Sequence, residues 1–243
     1  MALKGSADVA FLLVSGLNVL GDITDLEDDQ EALTEETTPF GVAPETHGYV
    51  GVSRYTLTQR GFFNDAAGRS NAALVSPGAS KVLSYAPYSN TVGALVPCTA
   101  AVQVNYKRMI GGKVLTKAEA SYESEQGHDE AILLHPLGAE TEDEDTEATP
   151  VDNGASSANG GTAYLQVTAI DLDGYDSFTV TVIDDVDGTP PFGDLVAFTT
   201  VTAIGAERVT VAGTVERHLA VRWEFVGAGT APSVTFAVMF KRN

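Results

Sequence analysis

The sequence is poor in the groups that crosslink, ligate or catalyse. Its 243 residues include one cysteine, Cys98, so no internal disulfide framework exists and stability must come from packing and from neighbouring subunits. Basic residues are scarce: 14 lysines and arginines face 33 acids, for a formal net charge of -19. That balance argues against tight binding to a phosphate backbone, which draws its free energy from counterions released to Lys and Arg. It suits plain solubility, and it also suits a surface past which DNA moves without sticking, since repulsion acts within about 10 Å at moderate salt. Long apolar runs are missing as well. Val9 to Val14 falls far short of the about 20 residues that span a bilayer, and it follows Asp8 rather than a basic segment. A soluble, untargeted chain without membrane insertion is expected.

Catalysis needs convergent groups, and the sequence offers few. The histidines (His47, His128, His135 and His218) are dispersed, with none of the short spacings of zinc sites. Cys98 follows a proline, has no histidine or cysteine near it, and reads as a small buried hydrophobe. No P-loop or dinucleotide fingerprint is present. Asp171, Asp173, Gly174 and Asp176 resemble part of a calcium loop, with Asp184, Asp185, Asp187 and Gly188 close behind. The downstream glutamate of such loops is absent, and Asp-Gly is also the favoured chemistry of a hairpin turn, which is the reading adopted. No enzyme, cofactor or metal is expected.

Val, Thr, Gly and Ala dominate, with glycine and proline between apolar stretches, and this predicts an all-β protein. Ala7 to Val14 reads as a strand. An acidic segment follows without a single base: Asp22, Asp25, Glu27, Asp28, Asp29, Glu31, Glu35 and Glu36. Such a run reads as a solvated loop or as an arm docking on an adjacent subunit, and these eight residues are candidate subunit contacts. From Val50 to Phe63 a long strand carries Arg54, Thr56, Thr58 and Arg60 on one face and Tyr55, Leu57 and Gln59 on the other. Asn64 or Asp65 then caps a short helix over Ala66 to Val75.

Strands are predicted over Lys81 to Ala86 and Ala101 to Lys107, with a hairpin turn at Gly111 and Gly112. The returning strand points Ala118, Ala120 and Tyr122 inward and Lys117, Glu119, Ser121 and Glu123 outward. The row Lys117, Glu119 and Glu123, with Arg54, Thr56, Thr58 and Arg60, is the candidate water-lined surface. Residues 137–161 read as an acidic, small-residue linker between a first domain over 1–136 and a second over 162–243. The second shows six strands with shared apolar rows: Leu219, Val221, Trp223, Phe225 and Val234, Phe236, Val238, Phe240. These suit an Ig-like antiparallel β-sandwich.

Several stretches resemble the major tail tube proteins of siphophages. They are Glu36-Thr37-Thr38-Pro39-Phe40-Gly41, Gly61-Phe62-Phe63-Asn64-Asp65, Leu83-Ser84-Tyr85-Ala86-Pro87 with Asn90-Thr91-Val92-Gly93, and His135-Pro136-Leu137-Gly138. The resemblance implies a tail-tube-type β-sandwich or barrel domain with one short helix and an appended C-terminal sandwich. It implies self-association into hexameric rings stacked in a virion tail, with tape measure and terminator proteins as further partners. DNA would pass through without specific binding. The rival readings are a cell-surface or carbohydrate-binding β-sandwich module and another virion part, such as a capsid decoration or tail terminator protein.

Overall fold

The computed structural model describes residues 9–36, 47–111, 115–124 and 127–243, with the backbone alone at 33–36 and 47–53. The protein is almost entirely antiparallel β, with a single α-helix among the described residues. It divides into two compact units that interleave along the chain: 1–20, 82–98 and 129–243 form one, and 21–81 with 99–128 form the other.

The first unit is a sandwich. One sheet contains β14 (Gly205–Val211), β11 (Gly161–Asp171), β16 (Ser233–Arg242) and β8 (Asp129–Glu140), in that order, and β8 pairs onward with the start of β6 (Leu95–Met109). The facing sheet runs β10 (Val151–Asp152), β15 (His218–Gly227), β12 (Tyr175–Asp185), β13 (Gly193–Ala197), with β9 (Glu144–Asp145) also on β15. Among the described residues neither sheet closes into a barrel. Period-two alternation aims both predicted apolar rows between the sheets, where Trp223, Phe225, Phe236 and Phe240 pack with Phe178, Leu165 and Val167.

β16 is buried on its other side too. Ala237 and Met239 meet Phe11 and Leu13 of β1 (Phe11–Val14), Ala86 of β5 (Ser80–Ala86), and Val96 and Cys98 of β6. A strand covered on both faces reads as a near-continuous apolar run, and Val234 to Phe240 does so apart from Thr235. Cys98 is buried as expected, its thiol held in the neutral form by desolvation. Gln166, fully buried, ties the N-terminal hairpin to this core. Its Oε1 accepts the Gly16 N–H at 2.8 Å, while Nε2 donates to the Val82 carbonyl at 3.1 Å and to Ser84 Oγ at 3.2 Å. Gly16, in the turn to β2 (Leu17–Asn18), has φ +85 and leaves no room for a Cβ beside Gly205 and the Val167 carbonyl.

The stretch 137–161, read from composition as a linker, is part of the sandwich. It carries the end of β8 and both short strands on β15. Both its backbone and its acidic side chains are stitched in: the Glu142 carbonyl accepts the Trp223 indole N–H at 3.0 Å, Asp143 Oδ1 accepts the Phe225 N–H at 2.6 Å, and Glu147 Oε1 accepts the Phe192 N–H at 3.3 Å. Of the two Asp-Gly stretches read as hairpin turns, Asp184–Gly188 does connect the paired strands β12 and β13, whereas Asp171–Asp176 is a turn that carries the chain from β11 to β12 of the facing sheet and is no hairpin. Asp185 Oδ2 accepts the N–H groups of Asp187, Gly188 and Thr189, and Asp173 Oδ2 accepts that of Ala231. Among the described residues no group of three or more His, Cys, Asp or Glu could hold a metal ion, and no helix is long and apolar enough to cross a membrane.

The second unit is a smaller sheet in the order β3 (Ile23–Glu36), β4 (His47–Phe62), β7 (Lys117–Ser124) and the later part of β6. Its inner face carries Tyr55, Leu57, Ala120 and Tyr122, all buried. Helix α1 (Ser70–Leu74) adds Ala73 and Leu74 to the buried set. It is shorter than the predicted Ala66 to Val75 helix, because Gly68 at φ +73 breaks the first turn.

His135 gives the sandwich a pH dependence. Its ring stacks on Phe236 at 4.2 Å and meets Trp223 edge-on at 4.8 Å, and burial lowers its pKa from 6.5 to about 4. Glu140 Oε1 lies 3.3 Å from Nε2, and the Phe236 and Pro136 backbones favour the protonated ring, but desolvation prevails. Between these two pH values the unfolded chain binds the proton and the folded one does not. Stability is therefore complete above about pH 6.5 and falls toward pH 4, by up to about 3 kcal/mol. Denaturant midpoints taken from pH 7 to pH 4 should drop more steeply in the wild type than in His135→Asn, whose side chain does not titrate.

Candidate functional site

The predicted charged rows meet on one face of the four-stranded sheet. On β4, Arg54, Thr56, Thr58 and Arg60 alternate with the buried row, as a half-covered strand dictates. Register then fixes their neighbours. On one side Arg60, Thr58, Thr56 and Arg54 oppose Asp25, Glu27, Asp29 and Glu31; on the other, Arg60, Thr58 and Thr56 oppose Glu119, Ser121 and Glu123. Lys117 opposes Phe62 on the same face.

The result is an open groove of about 390 Å³ lined by Glu27, Asp29, Glu31, Arg54, Thr56, Thr58, Arg60 and Glu123. Within it Arg60 reaches Glu119 at 2.8 Å and Glu27 at 3.2 Å, and Arg54 reaches Glu123 at 2.7 Å. Thr58 Oγ1 donates to Ser121 Oγ at 3.2 Å. The hydrogen bonds that Arg60 donates to Glu119, then to Glu27, raise its pKa further. These pairs are solvent-exposed, so they order the side chains more than they stabilise the sheet. No nucleophile and base converge here, and the chemistry available is ionic and hydrogen-bonding contact with water or another macromolecule.

The acidic run, read as a loop or docking arm, is neither free nor coiled. Asp25 to Glu36 lie in β3, a strand hydrogen-bonded to β4 along its length, including Glu35 opposite Gly48 and Glu36 opposite His47. From Ile23 to Ala32 its exposure is high on both faces. Asp22 departs from the rest: its Oδ2 accepts the Ser70 N–H at 3.1 Å and its Oδ1 the Asn64 amide at 2.9 Å, so the carboxylate clamps the start of α1. Gly61 permits this approach, since any side chain there would overlap the Asp22 carbonyl. Asn64 makes only a local turn, its Oδ1 accepting the Ala66 N–H at 3.1 Å.

Two features of β6 escaped the sequence. Gln103 is fully buried, with Nε2 donating to the Leu74 carbonyl at 2.5 Å, while Val102 and Val104 are 44% and 48% exposed. A register shift against β7 between Gln103 and Asn105 accompanies this inversion of polar and apolar. Beyond it, Asn105 and Lys107 share the groove face with Ser121 and Glu119.

The chain matches no protein-family model and no curated protein. Among solved structures it is similar to a chain of the virion of a native gene transfer agent particle, at 10% identity and TM-score 0.38, covering 50% of this chain and 94% of that one. It is also similar to the SPP1 Dit protein (gp 19.1), described as a paradigm of the hub adsorption apparatus in phages infecting Gram-positive hosts. There the identity is 11% and the TM-score 0.35, over 95% of this chain and 98% of that one. A third similarity is to infectious bursal disease virus strain Gx, at 10% identity and TM-score 0.21, covering 98% of this chain and 59% of that one.

The Asp22 clamp yields a direct test. Asp22→Ala removes the acceptor for the Ser70 N–H and should lower unfolding stability by about 1–2 kcal/mol, whereas Asp22→Asn should retain most of it. Equilibrium urea denaturation of the three proteins measures the difference.

Proposed function

We propose that this chain is a structural, non-enzymatic protein of a phage virion, the subunit of a tail tube. In this reading copies join edge to edge into rings, hexameric as in the family it resembles, and the rings stack to enclose a bore through which DNA passes. One observation carries the proposal: the sheet β3–β4–β7–β6 has a solvent-exposed, ion-paired face, a buried face and, among the described residues, outer strands at β3 and at the end of β6 that lack a further partner strand. Among the described residues β3 pairs only with β4; on the side of β6 away from β7, where β5 borders it, the backbone bonds reach Gln103, from the Gly78 N–H and to the Ala79 carbonyl, the Gln103 amide also donates to the Asn105 carbonyl, and Tyr106–Met109 lie beyond them.

An unpaired edge is a hazard in a monomer and a joining device in an assembly. Four alternating strands make β3 and β6 run in opposite directions. Copies rotated about an axis along the strands therefore bring β6 of one beside β3 of the next in the antiparallel sense. Head-to-tail contacts of that kind close into rings when the rotation closes. The groove face, with Arg54, Thr56, Thr58, Arg60, Lys117, Glu119 and Glu123, then lines the bore, and the alternation of strand side chains keeps the apolar row in the wall. Acids in excess along β3 repel phosphate, which lets DNA slide rather than bind. The tape measure and terminator proteins are the further partners this reading calls for.

Negative-stain microscopy and sedimentation of the purified full chain test it. Hollow rings or tubes are expected at high protein concentration, and a stable monomer across all concentrations would overturn the reading. Glycan binding by a monomeric chain would instead favour a carbohydrate-binding module.

A further inference from the structure

Among the described residues the outer strands of the second unit, β3 and the end of β6, have opposite charge, and this difference decides which edges can meet. From Ile23 to Glu36 the strand β3 contains no lysine or arginine, and Asp25, Glu27, Asp29 and Glu31 share its groove face, with Asp28 on the other. From Asn105 to Met109 the strand β6 contains no acid and carries Lys107 and Arg108, both exposed and on opposite faces. The Arg108 guanidinium lies 5.5 Å from the Phe63 ring and 5.8 Å from the Tyr106 ring, contacts that hold it near the sheet.

Backbone geometry alone does not choose between partners. Two copies related by a two-fold axis can pair β3 with β3 in the antiparallel sense as readily as rotated copies pair β3 with β6. The first arrangement makes a closed dimer, which consumes the edge a ring needs. Side chains break the tie whatever the register. Pairing of β3 with β3 sets carboxylate against carboxylate at neighbouring cross-strand positions, and β6 with β6 sets cation against cation. Only β3 with β6 sets opposite charges together.

We infer that the acidic run on β3 is a partner selector: it blocks two-fold self-pairing of this edge and directs it to the Lys107 and Arg108 edge of a second copy of the chain. The inference rests on the proposed edge-to-edge assembly and adds its polarity. Screening acts on such a joint directly, since the Debye length shrinks from about 10 Å at 0.1 M salt to about 3 Å at 1 M.

Charge reversal tests it in the full chain. Lys107→Glu with Arg108→Glu should raise the concentration for half-assembly by about tenfold or more, and adding Asp29→Lys with Glu31→Lys to that chain should restore rings. Neutralising β3 with Asp25→Asn, Glu27→Gln, Asp29→Asn and Glu31→Gln should divert protein from rings to dimers. In that background Gln30→Cys should crosslink to itself, and it should not do so in the wild-type background. Sedimentation velocity reads the species, and circular dichroism confirms that each variant folds. Wild-type rings with unaltered assembly in the charge-reversed chain would overturn the selector while leaving the tube reading intact. A wild type that forms no rings would remove both. Where a variant misfolds, the wild type decides alone: ring formation should weaken at 1 M salt, and indifference to salt would overturn the selector.

Discussion

The ladder on both sides of β4 is the constraint from which the candidate surface follows. A strand paired on each side has no rotational freedom, so its alternate residues must point to opposite faces. Once Tyr55, Leu57 and Gln59 are buried, Arg54, Thr56, Thr58 and Arg60 have only solvent to face. Register then brings acids from β3 and β7 against the two arginines, and the groove is a consequence of pairing rather than of any special sequence motif.

Much of the sandwich was legible because its strands alternate large apolar residues with small or polar ones. In β15 and β16 the apolar rows reach the core as their spacing predicts. The acidic run was not legible as a strand, for a physical reason. Asp and Glu disfavour strands intrinsically, and a strand exposed on both faces has no apolar alternation to read. Its partner supplies the ladder, and with it the structure. The short strands β9 and β10 were hidden in the same way, their backbone bonded to β15 while their side chains look like linker.

On β6 the error of simple hydrophobicity is more specific. Hydropathy alone would turn valines inward, yet Val102 and Val104 face out, and Gln103 takes the inside with its amide bonded to the end of α1. A residue-by-residue register shift is a property of two strands together, and one strand's sequence does not display it. The Asp22 clamp is likewise invisible locally, since its acceptor and donor are separated by 48 positions.

The burial of β16 on both sides has an engineering consequence. Its second face is covered by β1, β5 and β6, drawn from residues far upstream. The C-terminal half is therefore not a transplantable module: severing the chain near residue 137 or 161 would bare Ala237 and Met239 and strip Gln166 of its donor and acceptors. Fusions and truncations of this protein would be better sited in its turns than at its compositional boundary.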